Sequence, residues 1–335
     1  LKRIIALLTK VKNGLRKTWN DGTCWFLLAL LSLLPIWFAP HFNMNSMVQD
    51  TFYVIDVSES MNVQDVDYPK PQTSRLSLAK QSVTESMARL PCGSRVSIGL
   101  FAGEETIVLF EPLEICQHYF SIEQVVSRIN TNMRWIGDSW IVRGLTSAIK
   151  EAQKRKLNLV MLTDADEMPH HMTPRIADLL EYQDKVHGVL WGIGNEALQP
   201  IPKIDIRGAV MAYWTPEDAV IEGNYPNLLS YVKNLADGER ATAGALDEVV
   251  EHLSAFNRIF MQSAAEALHI GFVKINQPKD ALKSIQEISL QKQALAPRDA
   301  RWIFGLIAML WVLIGWFWSS LLHSQYHVSH FREPQ

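Results

Sequence analysis

Two stretches without a charged side chain bracket this sequence. CWFLLALLSLLPIWFAP runs from Cys24 to Pro40, and WIFGLIAMLWVLIGWFWSSLL runs from Trp302 to Leu322. Each approaches or reaches the ~20 residues that cross a bilayer as a helix. Trp25, Trp37, Trp302 and Trp318 sit near their ends, where aromatic belts form. A lone run of this kind is ordinarily a buried core helix; two, at opposite ends of one chain, favour membrane anchors. A cleaved signal peptide is the alternative for the first run, but its basic leader is long and no small-x-small cleavage site follows.

Lys2, Arg3, Lys10, Lys12, Arg16 and Lys17 all precede Asp21, the first acidic residue. Lysine and arginine stay on the cytoplasmic side, so both termini are expected inside and the middle of the chain outside. The second run argues less clearly, with Arg298 and Arg301 on its outer flank against Arg332 on its inner one. The expected layout is a basic cytoplasmic leader (1–23), a transmembrane helix (24–40), an exported domain (41–301, core about 51–290), a second transmembrane helix (302–322) and a cytoplasmic tail (323–335). In a Gram-negative cell this is an inner-membrane protein with a periplasmic domain. The 335 residues carry a net charge of only −3, which excludes a global basic field for nucleic acid.

Between the anchors, short apolar runs alternate with helical periods. TFYVIDV (51–57), LNLVMLTDA (157–165) and KVHGVLWGIG (185–194) read as strands buried on both faces, with IGFVKI (270–275) as a last one. Helical spacing marks 75–90, 122–129, 141–153, 245–268 and 278–288. RVSIGLF (95–101) and TIVLF (106–110) form a hairpin about Gly103 and Glu104, which supplies one antiparallel edge strand. The fold class is therefore α/β: a Rossmann-like, doubly wound, mainly parallel sheet in one domain. Segment 195–225, rich in proline and glycine, is expected to be a surface excursion. Cys92 and Cys116 are symmetric about position 104, so a regular hairpin brings them opposite each other; a disulfide and two buried thiols both remain open.

Ligands bind beyond the carboxyl ends of the strands in such sheets. Asp56 ends the first apolar strand and Asp164 ends LVMLTD, so both carboxylates fall on one rim. Ser58 and Ser60 alternate after Asp56, and in an extended loop all three side chains point one way. A third loop, IGDSWIVRGL (136–145), adds the hydroxyl of Ser139. Two carboxylates and three hydroxyls are hard oxygen ligands, suited to Mg²⁺ first and to Ca²⁺ or Mn²⁺ next, rather than zinc. Such an ion keeps a coordination position for an outside ligand, and a protein partner's aspartate or glutamate fits it.

DVSES resembles the D-x-S-x-S motif of von Willebrand factor A domains, with their metal-ion-dependent adhesion site. GDSWIVRGL is similar to the second loop of that site and LTDADE to the third. The resemblance implies Asp56, Ser58, Ser60, Ser139 and Asp164 as ligands, with Ser139 where threonine is usual and Ala165 where glycine is usual. SMNVQDVDYPKPQTSRLSLAK resembles the corresponding stretch of bacterial Bat-type proteins, membrane-anchored A domains encoded beside MoxR-type AAA+ ATPases. LPCGSRVSIGLF, GIGNEALQPIPKID and the span after APRDARW look most like the L-type accessory proteins of methanol oxidation. That likeness implies an accessory factor for maturing a periplasmic methanol dehydrogenase, calcium insertion included. Its partners would be the ATPase, sibling membrane proteins and the dehydrogenase client.

Blander readings stand beside these. Asp56, Ser58 and Ser60 alone could be a capped strand-end turn. A haloacid-dehalogenase-type hydrolase also starts from an aspartate after an apolar strand, but it needs a second acid where Ser58 stands. No nucleophile has a partnered base, so no enzyme is expected. Trp140 is either packed under its loop or a partner anchor; Asp138 and Asp166 are the other candidate partner contacts. Asp65 and Asp67 read as solvated loop residues rather than an acidic rim. His170 and His171 read as a polar loop rather than a zinc site. A Bat-like envelope protein for stress tolerance or general complex assembly is the alternative function.

Overall fold

The computed structural model describes residues 23–38, 41–167, 175–205, 207–215, 252–287 and 292–330. The chain divides into two compact units, 1–45 with 295–335, and 46–294. Strands β1 (His41–Val48) and β13 (Lys292–Asp299) pair with each other where the chain enters and leaves the second unit.

The second unit is built on a sheet in the order β12-β7-β6-β2-β3-β4. β2 (Thr51–Asp56) lies at its centre, with every residue buried. It is parallel to β3 (Arg95–Ala102) on one side and to β6 (Asn158–Thr163) on the other. β7 (Gly188–Gly192) and β12 (Gly271–Lys274) continue the parallel order beyond β6. β4 (Glu105–Val108) is the antiparallel edge strand expected from the hairpin, and the short β5 (Leu113–Glu114) also pairs antiparallel with β3. The chain leaves β2 towards β3 and later returns to β2's other side as β6, so the strand order reverses at β2. That reversal opens a crevice above the carboxyl ends of β2 and β6.

The pleat sorts the core. Tyr53, Ile55, Ile98, Leu100, Val160, Leu162 and Trp191 join one buried cluster with α2 (Arg75–Met87), α3 (Ile115–Arg128) and α6 (Pro278–Glu287). Phe52, Val54, Phe101, Leu159, Met161 and Leu190 join the other, with α4 (Ile141–Arg155) and α5 (Arg258–Leu268). Alternate residues of β2 thus go to opposite faces, which is the period-2 rule at work. At the amino ends of the strands, buried Asp50 accepts from the Arg95 backbone (2.9 Å), the Arg95 guanidinium (2.7 and 3.0 Å) and Lys292 Nζ (2.6 Å). Burial alone would raise the Asp50 pKa, but these cationic donors outweigh it and hold it below the ordinary value.

Element boundaries depart from the sequence expectation where caps decide them. α2 stops at Met87 rather than 90. α3 starts at Ile115, seven residues before the expected 122, because the Glu114 carboxylate accepts from Gln117 N and caps an earlier turn. α5 starts at Arg258, not 245: Asn257 caps it by accepting from Phe260 N, and Leu253–Ser254 is instead strand β11. Residues 245–251 lie outside the described residues. The 195–225 excursion contains β8 (Gln199–Pro200), β9 (Pro202–Ile204) and β10 (Val210–Tyr213); 206 and 216–225 are outside the described residues. In the hairpin, the register slips by two residues between the Gly99–Val108 and Val96–Leu113 pairs. Cys92 and Cys116 form a disulfide, with S–S 1.95 Å and Cα–Cα 5.3 Å.

In the first unit, α7 (Arg301–His330) contains the one helix among the described residues that is long and apolar enough to cross a membrane, Arg301–Trp318. Only 11% of that window is buried, unlike a core helix. Within the first apolar run, α1 (Thr23–Leu33) is followed by a 3-10 turn, Leu34–Phe38, and the apolar helix among the described residues covers Cys24–Phe38. Trp25 stacks on Trp311 at 5.5 Å rather than standing free at a run end. The leader, 1–22, and 331–335 lie outside the described residues.

The disulfide closes a loop with a sequence separation of 24. Loop-closure entropy assigns such a bridge about 3 kcal/mol. Chemical denaturation of a Cys92→Ser/Cys116→Ser variant is expected to show a loss of that order, and added reductant should lower the wild-type midpoint by the same amount.

Candidate metal centre

β2 delivers Asp56 to the crevice with its side chain fully buried. Ser58 N donates to Asp56 Oδ1 (2.8 Å), which turns the chain back at once. The loop is therefore not extended, as the alternation of Ser58 and Ser60 suggested. A 3-10 turn, Glu59–Asn62, follows and returns Ser60 beside Ser58, with the hydroxyls 2.9 Å apart. The three side chains converge through two tight turns rather than through strand alternation.

β6 delivers the second carboxylate. Thr163 Oγ1 donates to Asp56 Oδ2 (2.6 Å) and accepts from Ala165 N (2.9 Å), fixing the two strand ends to each other. Asp164, fully buried, accepts from Asp166 N on Oδ1 (3.2 Å) and from Arg75 Nη1 on Oδ2 (2.7 Å), and it receives the Ser60 hydroxyl. Ala165 adopts φ +55°, the left-handed conformation that glycine would take without strain, so the substitution at this position left the turn intact.

The third loop is clamped to the end of β3. Gly103 (φ +63°) donates from its N to Asp138 O (3.0 Å), and its O accepts from Trp140 N (2.8 Å). A Cβ at 103 would fall 2.2 Å from Ile136 Cγ2, so only glycine allows this approach. The loop is also tied to the first turn, through Thr131 Oγ1 to Asn62 Oδ1 (3.0 Å) and Arg134 to Glu59 (2.5 Å). Ser139 is thereby fixed at the same rim. Its hydroxyl is buried and has no hydrogen-bond partner among the described residues. An unpartnered buried hydroxyl costs about 1–3 kcal/mol unless something outside the chain engages it.

The electrostatics point the same way. Burial, then the charge of Asp164, pushes the Asp56 pKa up to about 7, against hydrogen bonds from Thr163 and Ser58. Asp164 is also raised, chiefly by burial, with Arg75 opposing. Glu167, which accepts from Ile141 N (3.1 Å) at the start of α4, is pushed up to about 7 by burial. Asp166 is buried too. Asp164 pairs with the buried cation Arg75, whose charge is already shared with Asp65 (2.6 Å), while Asp56 has no cation among its partners. An oxygen donor set, an excess of negative charge and an orphan hydroxyl together fit a hard divalent cation.

The remaining candidates fall as follows. Trp140 is half-buried under the Arg143 guanidinium, 4.7 Å from its ring centre. Asp138 is half-buried at the rim, and buried Asp166 has no exposed surface to offer a partner. Asp65 is not solvated, as the sequence suggested, but inside, bonded to Arg75 and to Asn195 N (2.8 Å). Asp67 is exposed. His170 and His171 lie outside the described residues. Sequence reasoning missed Arg75, Thr163 and Glu167. One signal for Arg75 was present: a cation in the first turn of a Ser-capped helix faces the positive end of the helix dipole, and it needs acidic partners to hold it there.

Comparison with known proteins bears on the segment that carries this rim. Residues 51–167 match the von Willebrand factor type A domain. The α/β layering around β2 and β6 is the fold of that domain, and all five candidate ligands lie within the matched residues. No curated protein matches the chain. Among solved structures, the chain is similar to an aerotolerance-related membrane protein from Bacteroides fragilis, at 17% identity and a TM-score of 0.47 over 72% of this chain and 98% of that one. It is similar to BatB from Bacteroides thetaiotaomicron, at 16% identity and a TM-score of 0.47 over the same shares. It is also similar to a von Willebrand factor type A protein from Catenulispora acidiphila, at 16% identity and a TM-score of 0.40, covering 73% of this chain and 42% of that one.

The raised carboxyl groups give the metal-free A domain a definite pH dependence. A folded-state pKa above the unfolded value means that the folded chain holds the proton more tightly. The resulting stability is complete below the unfolded value and is lost as pH rises through about 7. Thermal melts of EDTA-treated protein are expected to show a lower midpoint at about pH 7.5 than at about pH 5.5, with MgCl2 raising the midpoint more at the higher pH.

Proposed function

We propose that this chain is a membrane-anchored protein-binding module, whose A domain takes a divalent cation at Asp56, Ser58, Ser60, Ser139 and Asp164. Through that ion it binds a carboxylate of a protein partner. The observation that carries this reading is the buried Ser139 hydroxyl without a partner, at a rim shared with two buried carboxylates. When bound, the ion supplies a positive centre that accepts an outside oxygen ligand; Mg²⁺ suits the site best, with Ca²⁺ and Mn²⁺ as alternatives. In the chain itself, Asp56 is held by Ser58 N and Thr163, Asp164 by Arg75, and the Ser139 loop by Gly103. Among the described residues no group is set up as a nucleophile with a base, and our reading is of a module that binds a partner.

At the finer level we infer an accessory factor for maturing a periplasmic methanol dehydrogenase, acting with a MoxR-type AAA+ ATPase and sibling membrane proteins. The sequence resemblance over Leu90 to Phe101, over Gly192 to Asp205 and in the span after Trp302 supports this. On this reading the A domain lies in the periplasm and the leader and tail in the cytoplasm, with apolar runs 24–40 and 302–322 as anchors. The second reading, a Bat-like envelope protein without a dehydrogenase client, is favoured by the likeness of the fold to an aerotolerance-related membrane protein and to BatB.

Ser139→Ala separates metal binding from folding, because the hydroxyl makes no bond that the metal-free fold would lose. Isothermal titration with MgCl2 is expected to show about tenfold weaker binding, ~1.4 kcal/mol, while the metal-free melting temperature stays the same or rises. Unchanged Mg²⁺ affinity would remove the site. For the client, co-purification from native membranes with and without EDTA, followed by mass spectrometry, tests the partner. A deletion strain with fully active, metal-loaded dehydrogenase would exclude the maturation role and leave the Bat-like one.

A further inference from the structure

Arg75 touches a candidate metal ligand and the chain on either side of the 196–253 segment. It is fully buried, and its guanidinium is spent on three elements. Nε and Nη2 grip Asp65 (2.6 to 3.1 Å). Nη1 donates both to Asp164 Oδ2 and to Ser254 Oγ, each at 2.7 Å, and Nη2 reaches Ser254 O at 3.4 Å. Gly194, at φ +120°, lies against it so closely that a Cβ there would fall 2.5 Å from Nε. The backbone repeats the connection: Asn195 N donates to Asp65, Phe256 N to Asn195 O (2.7 Å), and Asn257 N to Asp164 O (2.9 Å).

We propose that Arg75 is a positioning residue that couples divalent-cation binding at the Asp56–Asp164 rim to the ordering of residues 194–195 and 254–257. The inference rests on the metal site proposed above. In the metal-free chain, Asp164 takes Asp166 N on Oδ1 and Arg75 on Oδ2 and also receives the Ser60 hydroxyl, with Asp56 beside it in the crevice. An ion held at this rim would supply the missing positive charge and would leave the Asp164 carboxylate less free to move. Because the guanidinium is a rigid plane, a fixed Oδ2 fixes Nη1, and the same nitrogen fixes Ser254. Coupling of this kind is reciprocal, so whatever loosens the Ser254 end must weaken the ion by the same factor. The two stretches bound the excursion that carries β8, β9 and β10, so occupancy of the metal site would be reported at both ends of it.

The test is hydrogen exchange, read by mass spectrometry, on the full chain in detergent with MgCl2 as probe, together with Mg²⁺ titration and melting. Adding MgCl2 should slow exchange at 194–195 and 254–257. Ser254→Ala should abolish that protection, weaken Mg²⁺ at least threefold and reduce the Mg²⁺-induced rise in melting temperature; Ser254→Thr should restore all three. A merely structural role would lower the Ser254→Ala melting temperature equally with and without Mg²⁺, and would overturn the proposal. So would Mg²⁺ binding to the wild type with no change in exchange at these stretches, which would leave the metal site standing. Absence of Mg²⁺ binding altogether would overturn the site and the coupling together.

Discussion

Like charge at the end of a parallel sheet is the constraint on which the rest of this domain depends. β2 finishes in fully buried Asp56, fully buried Asp164 follows directly on the adjacent β6, and parallel register sets the two strand ends side by side. Burial of two carboxylates in one crevice is unfavourable unless each is hydrogen-bonded and the pair is neutralised. Thr163, Ser58, Ser60 and Arg75 supply the hydrogen bonds, but only Arg75 supplies positive charge. The surrounding loops are arranged about that deficit, with Ser139 bringing one more oxygen and no further cation.

Arg75 shows how a fold can hold such a centre before any ion arrives. Removing one partner from a buried ion pair is destabilising by about 3–5 kcal/mol, because the other charge is left without compensation. Here one guanidinium serves two carboxylates from different loops, so its loss would strand Asp65 and Asp164 together. The same residue is therefore part of the folding of the crevice and part of its electrostatics. A site of this kind is poised rather than relaxed: stable enough to form, and still short of positive charge.

The sheet was legible because β2, β6 and β7 are continuous apolar runs of strand length, and the positions of Asp56 and Asp164 at their ends followed directly. Ser58 and Ser60 were named from an alternation that the chain does not adopt; the Asx-type turn at Asp56 and the 3-10 turn after it bring them together instead. Arg75 was hidden because its partners stand 10, 89 and 179 residues away, and no local pattern reports such distances. The same holds for Glu167, which caps α4 from 26 residues downstream. The start of α3 is set by the Glu114 carboxylate, which accepts from Gln117 N, although Ile115 and Tyr119 already continue the buried stripe of Ile122 and Val126.

The Asp50 cluster has a mechanical consequence. Asp50 stands one residue before β2, Arg95 opens β3 and Lys292 begins β13, so the chain's way in and way out of the domain are fastened at one carboxylate. A pull along either connecting strand reaches this knot before it reaches the central sheet. The load is then borne by charge-assisted bonds at the amino ends of the strands, at the opposite end of β2 from Asp56.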